Sequence, residues 1–161
     1  MVTLGLIVAF AVFFSDQLSK WFVQGYFDNA HSPQAFSGFF NLVEAWNTGV
    51  SFSMFNDGGI LGMVVLSLFA IGVIVFLLMW LKKEDDKVVQ LSLGFIIGGA
   101  LGNVVDRIRF GAVYDFLDFY YNNWHWPAFN LADAFICTGA FIIILHGMIK
   151  AKSNINKEGE K

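Results

Sequence analysis

The chain has 161 residues, of which 57% are hydrophobic and only 14% are charged. That charged fraction is roughly half that of an average soluble domain, and the mean hydropathy is +0.61. This composition excludes an ordinary soluble protein, because it leaves too little polar surface to face water. The length predicts a single domain, 1–161. The net charge of −3 indicates no nucleic-acid partner, and the single cysteine, Cys137, excludes a disulfide framework and a multi-cysteine metal site.

Four apolar runs are each long enough to cross a bilayer as a helix, which needs about 20 residues. They cover residues 2–23, 60–81, 88–105 and 131–149. No Lys or Arg precedes the first run, and Asp16 and Lys20 lie within it, so we expect it to be retained rather than removed as a signal peptide.

Basic residues are unevenly distributed between the loops. The turn at 82–87 and the tail at 150–161 contain several lysines, whereas 24–59 contains no Lys or Arg. Cytoplasmic loops carry such an excess of positive charge. We therefore expect both termini to be cytoplasmic, with segments 24–59 and 106–130 on the outer face. The lysine-rich tail from Ser153 is expected to be disordered.

The outer segment 24–59 is too long for a simple turn. Its aromatic residues include Phe36, Phe39, Phe40, Trp46, Phe52 and Phe55. A partial alternation at Leu42, Glu44 and Trp46 predicts a short strand or hairpin, and 57–59 (DGG) predicts a turn into the second span. The predicted fold is an all-α polytopic membrane protein with four transmembrane helices and a small extracytoplasmic β/loop subdomain at the interface.

Small residues recur at intervals of four along the third span, at Gly94, Gly98 and Gly102. This spacing lets a neighbouring helix backbone approach closely. We expect a packing seam within the molecule.

Polar residues within or beside the spans collect at one depth, near the outer interface. They are Asp16, Lys20, Asn103, Asp106, Arg107 and Asp133. Ionisable groups in a membrane are costly and indicate a functional site unless a structural partner explains them. Asp16 and Lys20, four residues apart on one helix, can form an ion pair. For Asp106, which has Arg107 and Arg109 close in sequence, we expect a salt bridge at the helix end or a network that braces the loop, rather than a catalytic role.

Three acids, Asp115, Asp118 and Asp133, have no obvious basic partner. Asp115 and Asp118 share a face if their segment is helical and oppose each other if it is extended, and periodicity does not choose between these. Two close carboxylates cannot both ionise cheaply, so one keeps a proton while the other can take a proton from water. Amides able to position a substrate occur at Asn47, Asn103 and Asn130.

Other chemistries are less well supported. His31, His125 and His146 are far apart and form no metal-binding spacing. Cys137 has no adjacent nucleophile motif, and we expect it to be a small buried apolar residue.

Two other functions remain open at this point. A proton carrier would place acids at several depths of the membrane, but the second span has none and the cytoplasmic halves offer chiefly His146. A membrane assembly factor that uses the glycine seam for a partner helix would leave Asp115 and Asp133 replaceable by Asn.

Five motifs, in order along the chain, together resemble those of the lipoprotein signal peptidases, or signal peptidase II, of bacterial membranes. They are 16–20 (DQLSK), 47–52 (NTGVSF), 98–107 (GGALGNVVDR), 113–116 (VYDF) and 127–133 (PAFNLAD). The match covers nearly the whole chain. It is loose only at Val50 and Ser51, where the family more often has a small residue after the glycine.

The resemblance implies an aspartic endopeptidase that removes the signal peptide of a prolipoprotein just before a diacylglyceryl-modified cysteine. Asp115 and Asp133 match the catalytic pair, whereas Asp118 matches no required acid. The residues that match supporting positions are Asp16, Lys20, Asn47, Gly49, Asn103, Asp106, Arg107, Asn130 and Ala132.

The same resemblance implies a bacterial inner-membrane location, with the site near the outer face and no metal or organic cofactor. Its implied partners are the prolipoprotein, membrane lipid and globomycin-type cyclic peptide inhibitors. We expect a monomer, because four spans suffice to enclose one site.

Overall fold

The computed structural model describes residues 2–28, 30–49 and 59–159, with side chains to Ser153. In chain order its elements are α1 (Thr3–Phe27), β1 (Gln34–Ser37), β2 (Phe40–Asn47), α2 (Gly59–Lys83), α3 (Lys87–Phe110), β3 (Val113–Tyr121), β4 (Trp124–His125) and α4 (Leu131–Gly159). The predicted fold class is confirmed, since all four helices are long and apolar enough to span a membrane. Large apolar side chains such as Phe10, Ile60 and Phe69 point outward from the bundle, as expected of surfaces that contact lipid.

The helices are longer than the sequence predicts. α1 continues to Phe27 and α3 to Phe110, so residues 106–110, predicted to lie in an outer segment, are helical. Gly111 ends α3 with a φ of 77°, a conformation that favours glycine. The tail, predicted to be disordered, continues α4 to Gly159.

The central helix is α3, which packs against α1, α2 and α4. A Cβ added at Gly94 would lie 2.6 Å from the carbonyl oxygen of Gly5, and one at Gly98 would lie 2.4 Å from that of Ala9. The predicted seam is therefore confirmed as an intramolecular contact between α1 and α3. The buried apolar core around α3 comprises Ala9 from α1, Ile74, Leu77 and Leu81 from α2, and Leu93, Ile97 and Val104 from α3 itself.

Gly102, the last glycine of the seam, lies beside a buried carboxylate. A Cβ at this position would lie 2.3 Å from Oδ2 of Asp16. We expect Gly102→Ala to lower the free energy of unfolding by about 1–3 kcal/mol, the usual cost of overpacking. Thermal unfolding in detergent measures this, with Gly72→Ala as control, since nothing lies within 4 Å of a Cβ at Gly72. Equal melting temperatures for the two variants would contradict the prediction.

The outer segments form one antiparallel sheet with the strand order β1-β2-β3-β4. The predicted hairpin is confirmed, because β1 and β2 pair with each other. In the register of β2 and β3, Ala45 lies opposite Asp115 and Asn47 lies opposite Val113. The predicted turn at 57–59 lies largely outside the described residues, as do Phe52 and Phe55.

The opposite end of the bundle contains the lysine-rich turn, whose loop is limited to residues 84–86. Asp86 accepts a hydrogen bond from the backbone N–H of Val88 at the start of α3 and contacts His146 of α4 at 2.8 Å. Gly5, near the start of α1, lies against Leu81 near the end of α2 and Gln90 near the start of α3. The start of α1 and the later part of α4 therefore lie at the end of the bundle away from the sheet.

Candidate active site

Asp115 lies near the start of β3 and is buried, with 2% of its surface exposed. Its Oδ2 accepts a hydrogen bond from the side-chain amide of Asn47 at 3.1 Å. Its Oδ1 accepts one from the side-chain amide of Asn130 at 2.7 Å. Asn47 is the last residue of β2, which pairs with β3, and Asn130 follows Phe129, which forms a backbone bridge with Leu117 of β3. Backbone pairing with β3 therefore brings both amides to the carboxylate.

Asp118 belongs to a different cluster. The segment is a strand, so Asp115 and Asp118, three residues apart, point to opposite faces. Asp118 accepts a hydrogen bond from Asn41 at 2.8 Å and contacts Nδ1 of His125 at 2.9 Å. The prediction that Asp118 lacks a basic partner was therefore wrong, because cross-strand pairing supplies one.

Backbone pairing brings the start of α4 to β3. The N–H groups of Phe116 and Leu117 both donate to the carbonyl of Phe129, and the N–H of Phe129 donates to the carbonyl of Leu117. This bridge places Asn130, the residue before α4, beside Asp115.

Asn130 also joins Asp115 to Asp133. Its side-chain oxygen accepts a hydrogen bond from the backbone N–H of Asp133 at 2.9 Å, and its own N–H donates to Oδ2 of Asp133 at 3.4 Å. This reciprocal arrangement is a capping box at the start of a helix. One residue thus caps α4 and contacts both predicted catalytic acids.

The two acids have different surroundings. Asp133 is partly exposed, and its Oδ1 accepts a hydrogen bond from Asn103 at 2.7 Å. Burial, followed by the nearby charge of Asp133, raises the pKa of Asp115 to about 7, although hydrogen bonds from Asn47 and Asn130 oppose this rise. The pair can therefore hold a single proton near neutral pH.

A buried ion network lies beneath the pair. Lys20 contacts Asp16 and Asp106, each at 2.8 Å, with all three side chains at most 4% exposed. The predicted pair of Asp16 and Lys20 is confirmed. The partner of Asp106 is Lys20, which reaches it across the contact between α1 and α3, rather than Arg107 or Arg109. Of the two structural roles predicted for Asp106, the structure therefore favours the bracing network over a salt bridge to a neighbouring arginine.

This network also binds the backbone around the site. Oδ2 of Asp106 accepts a hydrogen bond from the N–H of Tyr114 at 3.2 Å, and Oδ1 of Asp16 accepts one from the N–H of Ala132 at 2.9 Å. Both donors lie next to a candidate catalytic acid. Gln17, which the sequence analysis did not single out, donates to both Asp16 and Asp106.

Arg107 connects α3 to the end of β2. Its guanidinium donates to the carbonyl of Gly49 at 3.2 Å, and the N–H of Gly49 donates to the side-chain oxygen of Asn47 at 3.1 Å. Arg107 also lies close enough to interact electrostatically with Asp115 and Asp133. The structure thus brings all the predicted site residues to one end of the bundle.

Comparison with known proteins shows the family. The model of the family described as "Signal peptidase (SPase) II" matches residues 8–149. The chain belongs to the signal peptidase II family. The lipoprotein signal peptidase of Shewanella pealeana is 42% identical over 156 residues, which cover 96% of this chain and 91% of that protein. The lipoprotein signal peptidase of Pseudoalteromonas atlantica is 41% identical over 152 residues, covering 93% and 92%.

Solved structures of bacterial membrane enzymes share this fold. A bacterial membrane enzyme determined by the in meso method at 2.3 Å resolution superposes with a TM-score of 0.79 at 26% identity, covering 93% of this chain and 90% of that chain. A second such enzyme, at 1.9 Å resolution, gives 0.73 at 23% identity over 88% and 90%, and shows the fold alone. As a family member, this chain is a multi-pass inner-membrane peptidase of lipoprotein processing.

A cavity of about 340 Å³ adjoins Asp133 in this signal peptidase II. Its walls come from the loop before α4 and from the first turns of α4, and most of them are apolar. They comprise Trp126, Pro127, Ala128, Phe129, Asp133, Ala134 and Cys137. The expectation that Cys137 is buried was wrong, since it is exposed. The face of α4 that carries Asp133 and Cys137 turns away from the bundle core.

Proposed function

We propose that this signal peptidase II is an aspartic endopeptidase that cleaves the signal peptide from a prolipoprotein, just before a cysteine modified with diacylglycerol. The observation that supports this most directly is the link from Asp115 through Asn130 to Asp133. It holds two carboxylates in one polar site at the end of a membrane bundle. Such a pair shares one proton near neutral pH, because two close like charges are costly.

The proposed reaction needs one water molecule. One carboxylate takes a proton from water as the water oxygen bonds to the carbonyl carbon, and the protonated carboxyl gives its proton to the carbonyl oxygen. When the intermediate collapses, the carbon–nitrogen bond breaks and the amine nitrogen takes the proton held by the first carboxylate. The second carboxyl recovers its proton from a hydroxyl of the intermediate, so the pair returns to its initial state.

The cavity beside Asp133 supports access from the membrane. Its apolar walls suit a substrate whose signal helix and acyl chains are already in lipid, so that neither has to be extracted into water. We propose that the signal helix approaches laterally and that its acyl chains remain in the membrane while the scissile bond reaches the acids.

The orientation of the bundle is part of the proposal. The lysine-rich turn, the start of α1 and the later part of α4 lie at one end of the bundle, and cytoplasmic loops carry such positive charge. The acids would then lie near the outer face. A cysteine placed at Ser153 in a Cys137→Ala background should react only with reagents that cross the membrane. Labelling by a reagent that cannot cross the membrane would instead place the lysine-rich end of the bundle on the outer face.

Cleavage should depend on pH because Asp115 has a pKa of about 7. Above that pH the pair loses its only proton and with it the group that protonates the carbonyl oxygen. We therefore expect kcat/KM to fall roughly tenfold for each pH unit above about 7. Initial rates between about pH 5 and pH 9 measure this, and a rate that stays flat to pH 9 would contradict it.

The proposal is tested by mapping the products formed by the purified enzyme in detergent, with a chelator present. The substrate is a synthetic prolipoprotein peptide carrying diacylglyceryl cysteine, and the matched control is the same peptide with unmodified cysteine. We expect mass spectrometry to show one cut, directly before the lipidated cysteine, and none in the control. A cut elsewhere, or none in the lipidated peptide, would reject the proposal and make proton flux in liposomes the next measurement.

A further inference from the structure

The two acids of the pair are not equivalent, because different side-chain amides donate to them: Asn47 and Asn130 to Asp115, and Asn103 to Asp133. We infer that Lys20, acting through the side-chain amide of Asn103, keeps Asp133 ionised as the group that activates water and leaves the proton of the pair on Asp115. This inference rests on the proposed function for the role of the acids. The position of the proton can be measured without any substrate.

The orientation of the Asn103 amide is determined by its partners. Its side-chain oxygen accepts hydrogen bonds from Nζ of Lys20 at 3.3 Å and from Nδ2 of Asn130 at 3.1 Å. A lysine ammonium can only donate, so the oxygen of Asn103 has to face it. The amide NH₂ of Asn103 therefore points to Asp133, and its nitrogen lies 2.7 Å from Oδ1.

Lys20 itself has little freedom to move. Its ammonium is held between Asp16 and Asp106 at 2.8 Å from each, and the whole residue is 3% exposed. An ammonium so placed cannot turn away from Asn103 without leaving two buried carboxylates. Lys20 is thus a positioning residue, which acts on Asp133 through Asn103 and does not touch it. Its charge also acts on Asp115, where it opposes the rise in pKa, but the burial of Asp115 outweighs this effect.

Asp133 meets further groups that favour its charged form. It occupies the first turn of α4, where the unpaired N–H groups of a helix favour a negative charge. Its Oδ2 accepts the N–H of Asn130 in the capping box. Asp133 is also partly exposed, whereas Asp115 is 2% exposed in the strand, so desolvation disfavours ionisation of Asp115 more strongly.

Charged groups of other elements act on the pair as a whole. Those that face it are Asp16 and Lys20 from α1 and Asp106 and Arg107 from α3, while β2 contributes the neutral Asn47. Arg107 interacts with both acids. Its interaction with Asp133 is the larger of the two. Arg107 therefore lowers the cost of the shared negative charge and, like the amides, the helix terminus and burial, favours that charge on Asp133.

The first test locates the proton by thermal unfolding in detergent at about pH 5 and pH 8. The folded-state pKa of Asp115 is raised, so the stability that its proton provides is complete below the ordinary pKa of 3.8 and is lost progressively as pH rises to about 7. We expect the alkaline drop in melting temperature to disappear in Asp115→Asn and to persist in Asp133→Asn. A drop that disappears only in Asp133→Asn would place the proton on Asp133.

The second test examines the Asn103 link. Asn103→Ala keeps Lys20, Asp16 and Asp106 in place but removes the hydrogen bond to Asp133. We expect the acid limb of kcat/KM to move up by roughly one pH unit, because ionised Asp133 loses a donor. The control is Gln17→Ala, which perturbs the same ion network without touching Asn103. Its acid limb should stay within roughly 0.3 pH units of the wild type, and an unmoved limb in Asn103→Ala would overturn the role of Lys20.

These outcomes separate the inference from the proposed function. Retained cleavage in Asp115→Asn would reject the aspartic mechanism, whatever the position of the proton. If both acids prove essential but the stability test places the proton on Asp133, the mechanism survives and only the inference fails.

Discussion

Replacing either acid of the pair with its amide should abolish cleavage while leaving a folded protein in the membrane. For Asp115→Asn and Asp133→Asn we expect kcat/KM to fall by at least about 10³-fold, since each removes a general acid or base. Neither variant can both take a proton from water and supply one to the carbonyl oxygen. Asparagine preserves the shape of each side chain, so the loss should lie in turnover rather than in insertion.

The matched control is Asp118→Asn. Asp118 is an acid of the same strand with a similar burial, but it points to the opposite face and pairs with His125. We expect its turnover to stay within about threefold of the wild type. Cleavage of the lipidated peptide by the three purified variants, each checked for folding by gel filtration, makes the comparison. Turnover above one hundredth of the wild type in either pair variant would reject the assignment.

Hydropathy predicted the four spans because a bilayer imposes both a length and an apolar surface on each helix. The ends were less predictable. The sequence suggested that the third span ends just before Asp106 and Arg107, but α3 continues through both residues. It can continue because Lys20 from α1 forms an ion pair with Asp106. A charge ends an apolar run in the sequence but need not end the helix when a partner outside that run compensates it.

Partners distant in the chain limited the prediction of the site. Local spacing found the pair of Asp16 and Lys20, which lie on one helix, but assigned Asp106 to the arginines nearest in sequence. Likewise, the link from Asp115 to Asp133 depends on the pairing of Phe129 with Leu117, which has no local signal. The motif resemblance grouped these residues, but it did not indicate which atoms meet.

The position of Cys137 was missed for a related reason. Cysteine is usually buried in soluble proteins, and the membrane-spanning part of its helix is largely apolar. In a membrane bundle, however, an apolar residue can face lipid as readily as the core, so hydrophobicity does not assign a face. The exposure of Cys137 follows from the packing of α4 against α3 and α1, which leaves its outer face uncovered.

Replacing Lys20 with methionine should have the largest effect on folding. The change leaves Asp16 and Asp106 buried without their shared cation. Removing one partner of a buried ion pair costs about 3–5 kcal/mol, a large part of the roughly 5–15 kcal/mol that stabilises a typical protein. We therefore expect little folded Lys20→Met protein after detergent extraction, measured as the monodisperse fraction in gel filtration.

Asp106→Asn provides the graded comparison, because it removes one acid while Lys20 keeps Asp16 and Asn103 as partners. It should lower yield and melting temperature less than Lys20→Met does, and it should lower turnover per folded molecule less than it lowers yield. This follows if the contacts of Asp106 with Lys20 and with the backbone of Tyr114 hold β3 in place without taking part in proton transfer. Wild-type stability combined with lost turnover in Asp106→Asn would instead place this carboxylate among the groups that act on the substrate.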